Sequence, residues 1–251
     1  FIYYYIKFWV IGNSRREHSI CWSLKKSKDI ENIFCFPGNA GTNQIAQNIN
    51  IDLNNFKELK DFIINKKIDF VIVGPEQPLV DGIVDYLESF NISVFGPNKT
   101  ASQLEGSKTF TKKLCEKYNI PTAKFGIYTN KNEASTFLKT CNFPIVIKAD
   151  GLAAGKGVYI CENFDESLEA VDEIFNGKFG KAENLLVEEF LKGEEMSFFT
   201  VHDGKVFKTF GTAQDHKRVL EGDKGKNTGG MGAYSPSRLI NKELEKKIAK
   251  V

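Results

Sequence analysis

Over the first hundred residues, short apolar runs alternate with longer amphipathic segments. Ile6–Ile11, Ile33–Phe36, Phe70–Val73 and Ile92–Phe95 are rich in β-branched and aromatic residues and predict strands. Between them, Glu17–Lys26, Phe56–Asn65 and Leu79–Phe90 space their apolar residues at helical intervals. This alternation predicts a parallel sheet wrapped by helices, a doubly wound α/β domain. Ligands of such sheets sit outside the carboxyl ends of the strands. Those ends here carry GNSRREH from Gly12, PGNAGT from Pro37, GPEQP from Gly74 and GPNKT from Gly96. Loop geometry alone explains any one of these turns; together they predict a substrate crevice.

A helix from about Ala101 to Tyr118 ends before Pro121, and a second pattern begins. Ile127–Thr129, Ile145–Lys148, Val158–Cys161 and Leu185–Glu189 predict strands, and Glu133–Thr140 and Glu166–Phe175 predict helices. They make a small α+β lobe over about residues 122–189. Met196–His202 and Val206–Thr212 follow as strands, joined by Asp203-Gly204, a two-residue hairpin signal. The stretch from Gln214 to Ser237 reads as a loop, far longer than an ordinary connection and so expected to be functional. The expected domains are an amino-terminal α/β domain, 1–101, and a second domain, 102–251.

Composition changes this picture little. Of 251 residues, 41% are hydrophobic, enough for a sizeable core, and 34 basic against 32 acidic residues leave a net charge of +2. That balance gives no sequence-wide footprint for nucleic acid. Five scattered cysteines form no CxxC pair, so neither a zinc site nor a disulfide framework is indicated, and reduced thiols in a cytoplasmic protein are expected. The apolar start, FIYYYIKFWVIG, is too short for a membrane span and lacks a small-residue cleavage site.

The chemistry concentrates in IVIKADGLAAGKGVYI, Ile145–Ile160. A strand-end lysine, Lys148, precedes a small-residue loop, Gly151 to Gly157, that carries Lys156. Gly151, Gly155 and Gly157 let backbone N–H groups close over phosphates, and the two ammonium groups supply charge. A P-loop requires Gly where Asp150 stands and Ser or Thr where Gly157 stands, so this is a different phosphate grip. Nor does the first turn fit a dinucleotide fingerprint, which needs glycines at Ser14 and Glu17. Further on, LLVEEFLKGEEMSF (Leu185–Phe198) offers an apolar slot for adenine and carboxylates for ribose hydroxyls. AQDHKR (Ala213–Arg218), followed by NTGGMGAYSP (Asn227–Pro236), gathers Asp215, His216, Lys217 and Arg218 ahead of another Gly-rich run. Adjacent cations there can hold phosphate or carboxylate groups and steady charge that develops during transfer. His216 reads as a hydrogen-bonding residue more readily than as a base.

Taken in order, GNSRREH, PGNAGT, VGPEQPLVDGIVD, FGPNKTASQLEGSKTFTK, IKADGLAAGKG, VEEFLKGEEMSF and QDHKRVLEGDKGKNTGGMGAYSP make the chain resemble the phosphoribosylamine–glycine ligase family of ATP-grasp enzymes, along essentially its whole length. The resemblance implies that glycine, 5-phosphoribosylamine and ATP give glycinamide ribonucleotide, ADP and phosphate through glycyl phosphate, in purine biosynthesis. By motif position, Lys108 of LEGSK and Lys148 resemble the lysines on the ATP phosphates, and Gly151–Gly157, including Lys156, the lid. Glu188, Glu189 and Leu191 resemble the adenine hinge, and Glu195 the ribose-binding carboxylate. The resemblance directs the amino-terminal turns, through Gly12, Asn13, Glu17, Gly38, Asn39, Ala40, Gly41, Gly74 and Glu76, at the phosphoribosyl substrate. Asp215, Lys217 and Arg218, expected to be catalytic, would complete the acceptor and glycine region with Gly230 and Gly232.

Two departures stand out. Ser14 and Arg15 occupy positions where the family has paired glycines, so close backbone approach is expected to be altered there. The chain also stops at Val251, before the family's Mg²⁺ (or Mn²⁺) ligands and carboxy-terminal domain. It is therefore expected to be the amino-terminal portion of a longer ligase, with an incomplete ATP-grasp domain and no metal ligands of its own. A neighbouring ATP-grasp ligase, or a non-catalytic nucleotide-binding fragment, is the alternative; oligomeric state is not legible.

Overall fold

A computed structural model describes residues 5–153, 156–222 and 224–250. The chain divides into two compact units, Phe1–Thr111 and Lys112–Val251.

In the first unit, β1 (Ile6–Gly12), β2 (Ile30–Pro37), β3 (Gln47–Asn48), β4 (Phe70–Val73) and β5 (Val94–Phe95) form a parallel sheet in the order β3-β2-β1-β4-β5. Being central, β1 is covered on both faces, so its sequence is a continuous apolar run and Trp9, Val10 and Ile11 are all 0% exposed. The period of two sorts the side chains. Trp9, Ile11, Phe34 and Phe36 meet Leu59 and Ile63 of α2 (Phe56–Lys66), while Val10, Ile33 and Cys35 meet Cys21 of α1 (Arg15–Leu24). The expected doubly wound architecture is therefore present.

Two helices are broken where the sequence predicts continuity. The segment Leu79–Phe90 forms α3 (Glu76–Asp81) and α4 (Ile83–Glu88), because Gly82 adopts φ +96° and its N–H closes back on Pro78 and Leu79. Likewise Ala101–Tyr118 divides into α5 (Lys99–Gly106) and α6 (Lys108–Lys117), with Ser107 extended between them at φ −138°, ψ 112°.

In the second unit, β6 (Phe125–Tyr128), β7 (Ile145–Ala149), β8 (Val158–Cys161) and β9 (Leu185–Glu189) form an antiparallel sheet in the order β6-β9-β7-β8. Alternation along β7 buries Ile145, Ile147 and Ala149 against α7 (Lys131–Leu138) and α8 (Phe164–Phe175). Val146 and Lys148 are thereby turned to the other face.

A second sheet orders β10 (Ser197–His202), β11 (Phe207–Leu220) and β12 (Lys224–Tyr234) as β10-β11-β12. This corrects the expectation of a loop over 214–237, since most of that stretch is one long hairpin. Gln214 pairs with Tyr234, Asp215 with Ala233, His216 with Gly232 and Arg218 with Asn227. Glycines at 225, 229, 230 and 232 hide the period-two signal of a strand, while accommodating the two register shifts around Arg218. The β10–β11 turn spans four residues rather than two: the Asp203 carboxylate accepts from the N–H groups of Lys205 (2.9 Å) and Val206 (2.8 Å). A last helix, α9, covers Lys242–Ile248.

Candidate functional site

At the carboxyl edge of the first sheet, the turns after β1, β2 and β4 are tied to one another. Ser14 caps α1 and is extended (φ −94°, ψ −177°), a conformation that needs no glycine. Its N–H donates to Glu17 Oε2 at 2.6 Å, and Arg16 Nε donates to Glu17 Oε1 at 3.0 Å. Glu17 is 1% exposed and lies against two glycines. A Cβ on Gly74 would stand 1.9 Å from Glu17 Oε1, and one on Gly12 (φ +133°) 2.5 Å from Glu17 Cδ. Glu17, expected to face substrate, instead points inward, because the capping geometry turns its carboxylate onto its own helix start. Arg16 Nη1 reaches Glu76 Oε1 at 3.0 Å, linking the first turn to the third.

Asn39 joins the first turn to the second. Its Nδ2 donates to the carbonyls of Asn13 (3.1 Å) and Ser14 (3.2 Å), while its Oδ1 accepts from the N–H groups of Gly41 (2.8 Å) and Thr42 (3.0 Å). Thr42 and Asn48, which the sequence reading missed, complete the lattice: Thr42 Oγ1 donates to Asn48 Oδ1 at 2.8 Å, and Asn48 Nδ2 to the Asn39 carbonyl at 2.8 Å. Gly38 (φ +72°) could not carry a side chain, since its Cβ would fall 2.2 Å from Asn48 Oδ1. Ala40 is exposed at the tip of this turn. The result is a pre-organised rim of small residues, suited to the close approach of a phosphate or sugar.

This rim has an acid limit. Burial pushes the Glu17 carboxyl up, but hydrogen bonds from Ser14 and Arg16, with the Arg16 charge, outweigh it and hold the group below its ordinary 4.5. A carboxyl depressed in the folded state stabilises the fold above its unfolded pKa, and that contribution is lost as pH falls through the folded one. Urea unfolding of the wild type should weaken below pH 4.5 more steeply than that of Glu17→Gln. Parallel acid limbs would show that Glu17 is not a source of the acid sensitivity.

In the second unit, Lys148 is not poised alone at its strand end. Its Nζ donates to Glu188 Oε2 at 2.9 Å across the β7–β9 pair, where Val146 faces Glu188 and Lys148 follows two residues on. The same oxygen lies 3.1 Å from Lys112 Nζ, which also donates to Thr122 Oγ1 (2.7 Å) and the Ala123 carbonyl (3.2 Å). No sequence signal singled out Lys112, because its partner is distant in the chain. Glu188 is 5% exposed, so its carboxylate is an internal counter-ion. The Glu189 carboxylate accepts from the Lys124 N–H at 2.9 Å, tying the end of β9 to β6. Leu191 is 64% exposed.

Between β7 and β8, Gly151 has φ +92° and open space where a Cβ would be, whereas Gly157 packs against Ala149 and Ala153. Lys156 is exposed. Gly155 lies outside the described residues. Lys108, the other expected phosphate lysine, is the first residue of α6, in the first unit.

The β10–β12 sheet brings together residues that the sequence left as separate motifs. Lys217 pairs with Glu195 and lies 4.0 Å from Asp215; Glu194 pairs with Arg238. Burial depresses the Lys217 ammonium, but its bond to Glu195 and the charges of Glu195 and Asp215 outweigh this and raise it. A cleft of about 310 Å³ is lined by His216, Arg218, Val219, Leu220, Glu221, Gly222 and Met231. Gly232 faces His216 in the ladder, and Gly230 (φ +111°) donates its N–H to Thr228 Oγ1 at 3.1 Å. Among the described residues, no group of three or more His, Cys, Asp or Glu side chains is gathered as a metal would require. No helix among them is long and apolar enough to cross a membrane.

Comparison with known proteins matches residues 6–105 to the phosphoribosylglycinamide synthetase N domain and 106–251 to the phosphoribosylglycinamide synthetase ATP-grasp (A) domain. A phosphoribosylamine–glycine ligase of Brucella melitensis is 48% identical over 240 residues, covering 95% of this chain and 56% of that protein. The crystal structure of phosphoribosylamine–glycine ligase from Thermotoga maritima superposes with a TM-score of 0.82 at 31% identity, over 98% of this chain and 59% of that one. N5-carboxyaminoimidazole synthase from Aspergillus clavatus, solved with ADP and 5-aminoimidazole ribonucleotide, shares the fold (TM-score 0.72, 16% identity, 98% and 61% covered). The chain thus spans little more than half the length of the proteins it matches.

Proposed function

The chain belongs to the phosphoribosylglycinamide synthetase family, and from that premise we propose that it contributes the phosphoribosyl-binding and ATP-binding portions of a phosphoribosylamine–glycine ligase. The observation that carries the proposal is Lys148, held on Glu188 between the small-residue β7–β8 loop and the hinge end of β9. A cation is thereby offered next to Gly151, whose missing side chain leaves room for a phosphate.

In this reading Lys148 and Lys156 bind the ATP phosphates, with Gly151 and Gly157 beside them. The backbone of Glu188 and Glu189, with Leu191 as an apolar wall, receives adenine. Glu195, shared with Lys217, receives the ribose. The glycine carboxylate oxygen attacks the γ-phosphorus and ADP leaves; the amine of 5-phosphoribosylamine then attacks the acyl carbon, expelling phosphate. Activating a carboxylate in this way calls for charge neutralisation and exclusion of water rather than a protein nucleophile. Asp215, Lys217, Arg218, Gly230 and Gly232 serve the glycine and acceptor side, and the Asn39-linked turns hold the phosphoribosyl group. A cytoplasmic location suits such small soluble substrates.

ADP formation, followed as glycine and freshly made 5-phosphoribosylamine are added with ATP, should require both. Equal ADP release with bicarbonate or formate replacing glycine would sink the assignment, and ATP binding without ADP release would leave this chain a nucleotide-binding role only. Lys148→Ala should weaken ATP binding by roughly 1.5–3 kcal/mol, the typical worth of hydrogen bonds to charged groups. The fold should survive, because Glu188 keeps Lys112; an unchanged ATP affinity would mean that Lys148 only neutralises Glu188.

A further inference from the structure

Lys148 has two competing anions: Glu188, which it touches here, and the phosphates it meets in the reading above, on which this inference rests. Glu188 is 5% exposed, so if Lys148 were its sole cation, turning toward a phosphate would strand a buried carboxylate. Lys112 removes that obstacle. It is 8% exposed, held by Thr122 Oγ1 and the Ala123 carbonyl, and 3.1 Å from the same Glu188 oxygen that Lys148 uses. Lys148 is the less buried of the two, its side chain 27% exposed against 10% for Lys112. The other carboxylate oxygen, Glu188 Oε1, is buried and has no hydrogen-bond partner. The two lysines therefore share one oxygen, an arrangement in which the more exposed Lys148 can leave while Lys112 stays.

We propose that Lys112 is a positioning residue: a permanent counter-ion to Glu188 that frees Lys148 to exchange Glu188 for a nucleotide phosphate. Lys112 itself does not touch the nucleotide. Deleting its charge leaves Glu188 to clamp Lys148, which weakens phosphate binding and spares the base.

The test titrates ATP and adenosine separately into the 251-residue chain and into the variants Lys112→Met and Lys112→Met/Glu188→Gln. Lys112→Met should weaken ATP about tenfold and leave adenosine within about twofold, since only the phosphates depend on Lys148. The double variant, which has no carboxylate to clamp Lys148, should return ATP affinity to within about threefold of the wild type. A merely structural Lys112 predicts equal losses for ATP and adenosine, and that result overturns the proposal, as does an unchanged ATP affinity in Lys112→Met. If Lys112→Met does not fold, the double variant decides alone: near-wild-type ATP affinity supports the proposal and a tenfold loss overturns it. A wild-type chain that binds no ATP overturns the nucleotide-site reading itself, a distinct outcome from wild-type binding with unaffected variants.

Discussion

Glu188→Ala should cost the second unit about 3 kcal/mol of stability, the lower end of what breaking a buried ion pair from one side costs. The loss falls on Lys112, which is 8% exposed and would keep its charge with no carboxylate beside it. Lys148 would suffer less, because its more exposed ammonium can reach water. Thr122 Oγ1 and the Ala123 carbonyl still accept from Lys112, which is why the lower figure is expected. For a unit of this size, 1 kcal/mol corresponds to roughly 2–4 °C in melting temperature, so a fall of about 6–12 °C should be seen in a thermal melt. Replacing both charges with apolar residues of similar volume, as Lys112→Met/Glu188→Leu, should recover most of it. A single variant that melts within a degree or two of the wild type would mean Glu188 is not an internal counter-ion.

The same triad shows where the sequence ran out. Lys148 and the loop after it stand out in one window, because a lysine ending an apolar strand contradicts its surroundings. Lys112 lies in an ordinary amphipathic helix, and its partner is 76 residues away, brought near where β6, next to the Thr122 and Ala123 that hold Lys112, pairs with β9. Strand existence was legible where short apolar runs stood out, and β4, β8 and β9 fall at the expected residues. The β11–β12 hairpin was not, since a glycine-rich strand has no side-chain alternation to read. Nor were the helix breaks at Gly82 and Ser107, which interrupt helical spacing without disturbing it. The carboxyl-edge turns were legible as a group, but not their internal wiring. Glu17 reads as one more polar residue of a ligand-facing turn until its burial beneath Gly12 and Gly74 is seen.

That burial sets the second large effect. Gly12→Ala should destabilise the first unit by roughly 4 kcal/mol, combining about 1–3 kcal/mol for an L-residue at φ +133° with a similar overpacking term. The overpacking is severe because the new Cβ would meet Glu17 Cδ at 2.5 Å, and Glu17 is held by Ser14 N–H and Arg16 Nε with no room to withdraw. Gly74→Ala probes the clash alone, its Cβ falling 1.9 Å from Glu17 Oε1. The two can be separated in a Glu17→Ala background by urea denaturation. There the added cost of Gly74→Ala should fall close to zero, whereas Gly12→Ala should keep its backbone strain, about 1–3 kcal/mol. Simple additivity of Gly74→Ala with Glu17→Ala would show that the carboxylate is not the obstacle. Functionally, the strain should not stay local. Asn39 bonds the carbonyls of Asn13 and Ser14 while ordering Gly41 and Thr42, so a displaced first turn pulls the second with it. Gly12→Ala is therefore expected to lower affinity for a phosphoribosyl ligand by more than any single lost contact, while ATP affinity, read on Lys148, changes little.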